Sequence, residues 1–280
     1  MRLRGIRRSR NVEDRRRSGG ARRGAGVGGI GLLVIVAVAY FAGVDVTPLL
    51  QNGGLQQESS EPRQLSAEEE RAAEFTSQVL ATTEDVWSQI FPAQVGRDYA
   101  PPVLVLYSGV TQSPCGGASG ATGPFYCPAD RKAYLDTEFF TTMSRQLGAS
   151  GDFAAAYVIA HEVAHHVQNE LGILPEVNRA RQAAGQTEAN ALTVRLELQA
   201  DCLSGIWAKA VGGLMEPGDL EEALNAARMI GDDHLQKRAG KVPQPHTFTH
   251  GTSEQRSRWF ATGFQTGDMR SCDTFSTDRL

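Results

Sequence analysis

Two histidines four residues apart, with a glutamate directly after the first, form the segment His161-Glu162-Val163-Ala164-His165. On a helix, residues four apart project from nearly the same face, so His161 and His165 can offer imidazole nitrogens to one metal ion. Glu162 lies one step round, where its carboxylate can reach a water held by that metal. Short motifs also arise by chance, and chance places them in loops as readily as in helices. This one sits in an apolar, alanine-rich stretch from Asp152 to Val167 that contains neither proline nor glycine. The spacing predicts a metal helix, with Asp152 as its N-cap.

Two histidines and a water leave a tetrahedral zinc one protein ligand short. A supplier follows 32 residues after His165, within Val194-Arg195-Leu196-Glu197-Leu198-Gln199-Ala200-Asp201. Thr187 to Lys209 lacks proline and reads as a second helix. Glu197 and Asp201 share one face of it, while Val194, Leu198 and Leu203 can pack inward. Two isolated acids at this spacing would be expected on a solvated face. Beside the histidine helix, Glu197 is assigned as third ligand. Asp201 is assigned as the acceptor that fixes a ligand imidazole through its other N–H.

Four blocks carry a resemblance. His161-Glu-Val-Ala-His-His-Val-Gln-Asn169, Arg195-Leu-Glu-Leu-Gln-Ala-Asp-Cys202 and His250-Gly-Thr-Ser-Glu-Gln-Arg256 resemble signature blocks of the bacterial neutral zinc metallopeptidases, and Gly123-Pro-Phe-Tyr-Cys-Pro-Ala-Asp130 is similar to that family too. The resemblance runs from about Leu65 to Phe275. It implies a membrane-anchored protease of the gluzincin type. It also implies an edge strand beside the metal helix that pairs with extended substrate, assigned here to Ala133–Asp136.

The chemistry expected is hydrolysis of a peptide bond with one Zn2+ per chain. Glu162 serves as the general base that accepts the proton of the attacking water and passes it to the leaving nitrogen. His250 precedes a helix start and is assigned either to the oxyanion of the tetrahedral intermediate or to buttressing its loop. His166 points about 100° away from its neighbour and is read as supporting or surface. His234 and His246 are read as solvent-facing and loop residues. There is no serine nucleophile-elbow pattern. A non-proteolytic envelope scaffold that keeps zinc is the alternative, although closed structural sites usually use four Cys or His ligands.

Residues 1–24 hold ten arginines against Glu13 and Asp14, a charge of +8 that leaves −12 for the remainder of a chain whose net charge is −4. Clustered arginines could neutralise phosphates. However, 21 uncharged residues from Gly24 to Val44 follow, enough to span roughly 30 Å as a helix, the thickness of a bilayer core. The expectation is therefore an Arg-rich cytoplasmic tail over 1–24, a transmembrane helix over 25–44 and a flexible stalk over 45–64. The domain at 65–280 would face outward, without nucleic-acid binding. A cleaved signal peptide ending near Ala37-Val38-Ala39 is the rival for that segment. The substrate expected is a peptide or protein of the cell envelope.

The domain has length enough for one core. Ser66-Ala-Glu-Glu69 is a capping-box pattern opening a helix, and Thr252-x-x-Gln255 opens the last one. Asp219 is read as the cap of a helix to about Met229. Pro102–Tyr107 and Lys132–Asp136 read as strands. The fold class expected is α+β, a helix-rich zincin-like domain with a small sheet. The four cysteines allow three connectivities. Cys115 with Cys127 would close a glycine-rich loop, and Cys202 with Cys272 would tie the ligand helix to the C-terminal tail. The rival use of Cys115 or Cys127 is as extra zinc ligands.

Overall fold

One long helix and six short strands, joined by glycine- and proline-containing turns, make up the described chain to residue 136, and helices dominate thereafter. The computed structural model describes residues 1–17, 64–119 and 123–280. Residues 1–15 and 66–280 form one compact unit, and residues 16–65 group separately. The expected transmembrane helix over 25–44 lies outside the described residues, as does all but the last residue of the expected stalk. No helix among the described residues is long and apolar enough to cross a membrane.

In chain order the elements are β1 (Val12–Asp14), α1 (Ala67–Ile90), β2 (Val103–Tyr107), β3 (Val110–Ser113), β4 (Gly116–Ser119), β5 (Phe125–Cys127) and β6 (Lys132–Asp136). They continue with α2 (Asp152–Glu170), α3 (Ile173–Ala183), α4 (Gln186–Ala210), α5 (Asp219–Met229), α6 (Asp232–Arg238) and α7 (Ser253–Thr266). Both capping boxes form. Ser66 and Glu69 bond reciprocally at α1, as do Thr252 and Gln255 at α7, satisfying otherwise orphaned N–H groups. Asp152 and Asp219 do not cap. Glycines 151 and 218 take those positions, which leaves each aspartate one residue inside its helix and free for tertiary contacts.

The main sheet has the order β1-β2-β6-β5, with β1, β2 and β6 parallel and β5 antiparallel to β6. This corrects the edge-strand assignment. Strand β6 lies between β2 and β5, with Ala133 and Tyr134 paired on both sides and Leu135 and Asp136 paired with β2. The edge next to the metal helix is β5, because the Pro128–Arg131 turn folds the chain back on itself. Arg131 sits in that turn with φ 60°, and Asp130 accepts the N–H of Lys132.

The opposite edge corrects the domain boundaries. Residues 1–15 are not a tail separate from the domain. β1 registers Val12 with Leu104, and the N–H groups of Leu104 and Arg15 donate to Asn11 and Leu106. Glu84 of α1, buried, accepts from Ser9 and Asn11 and pairs with Arg7. Met1 and Leu3 are buried, and the Met1 ammonium lies 2.9–3.2 Å from Asp152, Glu216 and Asp219. The physical reason is the open edge of β2. It offers backbone groups that even a three-residue, charged strand can satisfy.

Helix α2 is buried on nearly every face, as its unbroken apolar sequence requires. Its alanines let neighbours approach, and Phe153 stacks on Trp207 of α4 at 5.6 Å. Helices α4 and α7 meet more closely still. A Cβ at Gly205 would lie 2.1 Å from the Phe260 carbonyl oxygen, and one at Gly263 would lie 1.8 Å from that of Cys202. Only glycine fits at either position, and the contact brings Arg256 of α7 against Asp201 of α4.

Candidate metal centre

The i, i+4 spacing acts as the sequence suggests. On α2, His161 and His165 lie one turn apart, with ring centroids 4.8 Å apart and the ring planes nearly perpendicular. Helix α4 brings Glu197 between them: Oε2 lies 3.0 Å from His161 Nε2, and Oε1 lies 3.4 Å from His165 Nε2. All three ligand atoms fall within 4.8 Å of one another. Ligands bound tetrahedrally to zinc at their usual bond lengths stand about 3.3–3.5 Å apart, so the donor set and its spacing fit that ion.

Each imidazole is oriented from behind. His161 Nδ1 donates to Asp201 Oδ1 at 3.0 Å, and His165 Nδ1 donates to Gln168 Oε1 at 2.9 Å, which leaves both Nε2 atoms facing Glu197. Asp201 is fully buried and also accepts from the Tyr157 hydroxyl and from Arg256, whose Nε and Nη2 lie 2.9 and 3.0 Å from its two oxygens. Burial alone would raise Asp201, but the Arg256 charge holds its carboxyl below the ordinary value. Gln168 donates in turn to the Leu196 carbonyl and to Gln199 Oε1, so the α2–α4 contact is polar and satisfied. Burial also works against a charged His161, yet hydrogen bonds to Asp201 and Glu197 raise its pKa to about 10. The spot favours a cation.

Among the described residues the Glu162 carboxylate makes no hydrogen bond to that supporting network. It lines a cavity of about 480 Å3 together with His161, His165 and Glu197. Burial pushes its carboxyl above the ordinary range, against the pull of His165 and His161. Phe125 and Tyr126 of β5, Phe139, and Leu174 and Leu196 give the cavity apolar walls. His250 lines it as well. Asp232 fixes the loop there by accepting the N–H groups of Thr249, His250 and Gly251 at 2.6–3.0 Å, and His250 Nδ1 lies 2.9 Å from the Thr249 hydroxyl.

Other assignments sort clearly. His166 is fully buried rather than on the surface. Its ring bridges the Tyr126 hydroxyl and the Ala100 carbonyl, away from the cavity, and so props the edge strand. Cys115 is bonded to Cys127 and Cys202 to Cys272, so no cysteine is left to hold metal. Sequence reasoning missed Tyr157, Gln168 and Arg256. Gln168 was visible in principle, three residues after His165 on the same helix. Arg256 was not, since it meets Asp201 across 55 positions of chain.

A family model described as "Putative neutral zinc metallopeptidase" matches residues 1–275. The match begins at the amino terminus, well before the Leu65 start of the motif resemblance. YpfJ of Escherichia coli (strain K12), an uncharacterized protein, is 50% identical over 285 residues that cover 98% of this chain and 99% of that protein. The uncharacterized protein Rv2575 of Mycobacterium tuberculosis is 42% identical over 208 residues, which cover 70% and 68%. No solved structure matches the chain.

Proposed function

The chain belongs to the neutral zinc metallopeptidase family, and from that premise we propose that it is a zinc-dependent endopeptidase. The observation that carries the reading is the convergence of His161, His165 and Glu197, with Glu162 facing the same cavity. The three residues would hold one ion through two Nε2 atoms and a carboxylate. Zinc bound there supplies Lewis acidity, polarising a scissile carbonyl and acidifying water.

Glu162 takes a proton from the water as its oxygen attacks the carbonyl carbon, and returns it to the departing nitrogen. Burial raises its carboxyl towards the range a general base needs. Asp201, with Arg256 and Tyr157 behind it, keeps His161 in one tautomer and one orientation. His250 has Nδ1 engaged by Thr249, so Nε2 is the nitrogen that can donate to the developing oxyanion. The edge strand β5 offers backbone groups to an extended peptide of almost any sequence. The full chain, loaded with zinc, should cleave members of an unbiased peptide library, stop on chelation and resume when zinc is restored. Intact peptides throughout would favour the catalytically silent scaffold instead.

Two disulfides support an oxidising compartment, and the apolar segment 25–44 supports membrane attachment. A single crossing at 25–44 would separate residues 1–15 from the domain, whereas the β1 pairing favours having them on the same side. The proposal is therefore that the arginine-rich start shares the domain's compartment. Cysteines placed at the exposed positions Arg4 and Val242 should react alike with an impermeant maleimide in intact cells. Labelling of Val242→Cys alone would restore the one-pass arrangement.

A further inference from the structure

We propose that the cleft recognises a carboxylate on its substrate and that Arg181 of α3 reads it. This rests on the peptidase reading and adds a substrate class to it. The charged groups lining the cavity are nearly all engaged. His161, His165 and Glu197 face one another, Glu162 is the base, Arg256 is paired with Asp201, and His250 is bonded to Thr249. Arg181 differs. Its Nη1 donates to Asn178 Oδ1 at 3.2 Å, and among the described residues no carboxylate pairs with it. Its Nε is closed off from water and has no acceptor.

A guanidinium N–H hidden from solvent without a partner is costly to leave so, and the fork it belongs to matches a carboxylate with two parallel hydrogen bonds. The placement suits substrate contact. Leu174, Asn178 and Arg181 follow at intervals of four and three, so one face of α3 lines the cavity, and Leu196 beside Glu197 lines it too. That wall is apolar at Leu174 and Leu196 and cationic at Arg181. It fits a short apolar group of a peptide that carries an anionic end. Two peptide groups offer this chemistry: an Asp or Glu side chain near the scissile bond, and the α-carboxylate of a chain end.

The test separates recognition from hydrolysis. The full chain carrying Glu162→Gln, loaded with zinc, is titrated against labelled alanine–glycine decapeptides with a single Glu, Gln or Lys at each position. Each peptide is made with a free and with an amidated C-terminus. The expected result is at least tenfold tighter binding of one carboxylate-bearing set than of its neutral counterpart. A preference for internal Glu over Gln marks the side chain as the source, and one for free over amidated ends marks the chain terminus. Arg181→Ala should abolish the preference while leaving neutral peptides unchanged, Arg181→Lys should keep part of it, and Arg181→Glu should turn it towards Lys. Equal binding of charged and neutral peptides overturns the proposal, as does absence of binding or a uniform loss in Arg181→Ala. A carboxylate preference in a wild-type protein that leaves every peptide intact would instead sink the peptidase reading and keep the site.

Discussion

Two of the places where helix α2 meets charge are built differently. Around its middle, His161, Asp201, Arg256 and Tyr157 form a network in which every member is buried and hydrogen-bonded. At its first turn, Asp152 faces the Met1 ammonium with Glu216 and Asp219, and Asp152 and Glu216 remain about half exposed. Water can replace a partner at the first turn and cannot do so at the middle. The middle therefore holds its geometry at the risk of a large penalty when broken, whereas the first turn is forgiving.

The largest effect should follow from breaking the buried network. Arg256→Met leaves the Asp201 carboxylate buried and without its cation, and should cost about 3–5 kcal/mol in denaturant unfolding of the metal-free protein. In the same network, Asp201→Asn should lower zinc affinity by roughly 10- to 100-fold in chelator competition. A change under about 1 kcal/mol for Arg256→Met would show that the middle is as forgiving as the first turn. Next in size is removal of residues 1–15, which exposes the apolar contacts of Met1 and Leu3 and opens the β2 edge. At roughly 1.5–3 kcal/mol for each buried side chain, the loss should be about 3 kcal/mol or more. A fragment starting at Leu65 should be correspondingly fragile.

Asp232 is an intermediate case, partly buried and accepting three backbone N–H groups. Burial raises its carboxyl, but the His250 side chain and the backbone N–H groups of His250 and Thr249 hold it below the ordinary value. Because the folded state lowers this pKa, the stability it contributes is present above about pH 4 and is lost as pH falls through the folded value. Asp232→Asn should cost about 1–2 kcal/mol near neutrality and flatten that acid limb, read from unfolding midpoints against pH. The smallest effect is expected at the first turn, where Asp152→Ala should change stability by less than about 1 kcal/mol and fade further in high salt.

Legibility follows the same division. His161 with His165, and Glu197 with Asp201, were readable because four-residue spacing on a helix fixes a shared face whatever the rest of the fold does. The capping boxes at Ser66 and Thr252 are equally local. By contrast, Val12-Glu13-Asp14 becomes a strand only because β2 has an open edge. Arginine content pointed to a tail at that stretch. Phe125–Cys127 is too short to announce itself as the edge strand, and Arg256 finds Asp201 only through the Gly205–Gly263 helix contact. Asp152 and Asp219 looked like caps because capping is the local use of an aspartate, while the fold uses both for the amino terminus.

The most direct test of the central claim measures hydrolysis and metal content on one preparation of the full chain carrying Glu162→Gln. Glu162 is assigned to proton transfer and not to metal binding. Zinc should therefore stay at one per chain while hydrolysis per bound zinc falls by at least about 10²-fold. Undiminished hydrolysis per zinc would remove Glu162 from the chemistry, and loss of the zinc itself would show that the ligand set is not His161, His165 and Glu197 alone.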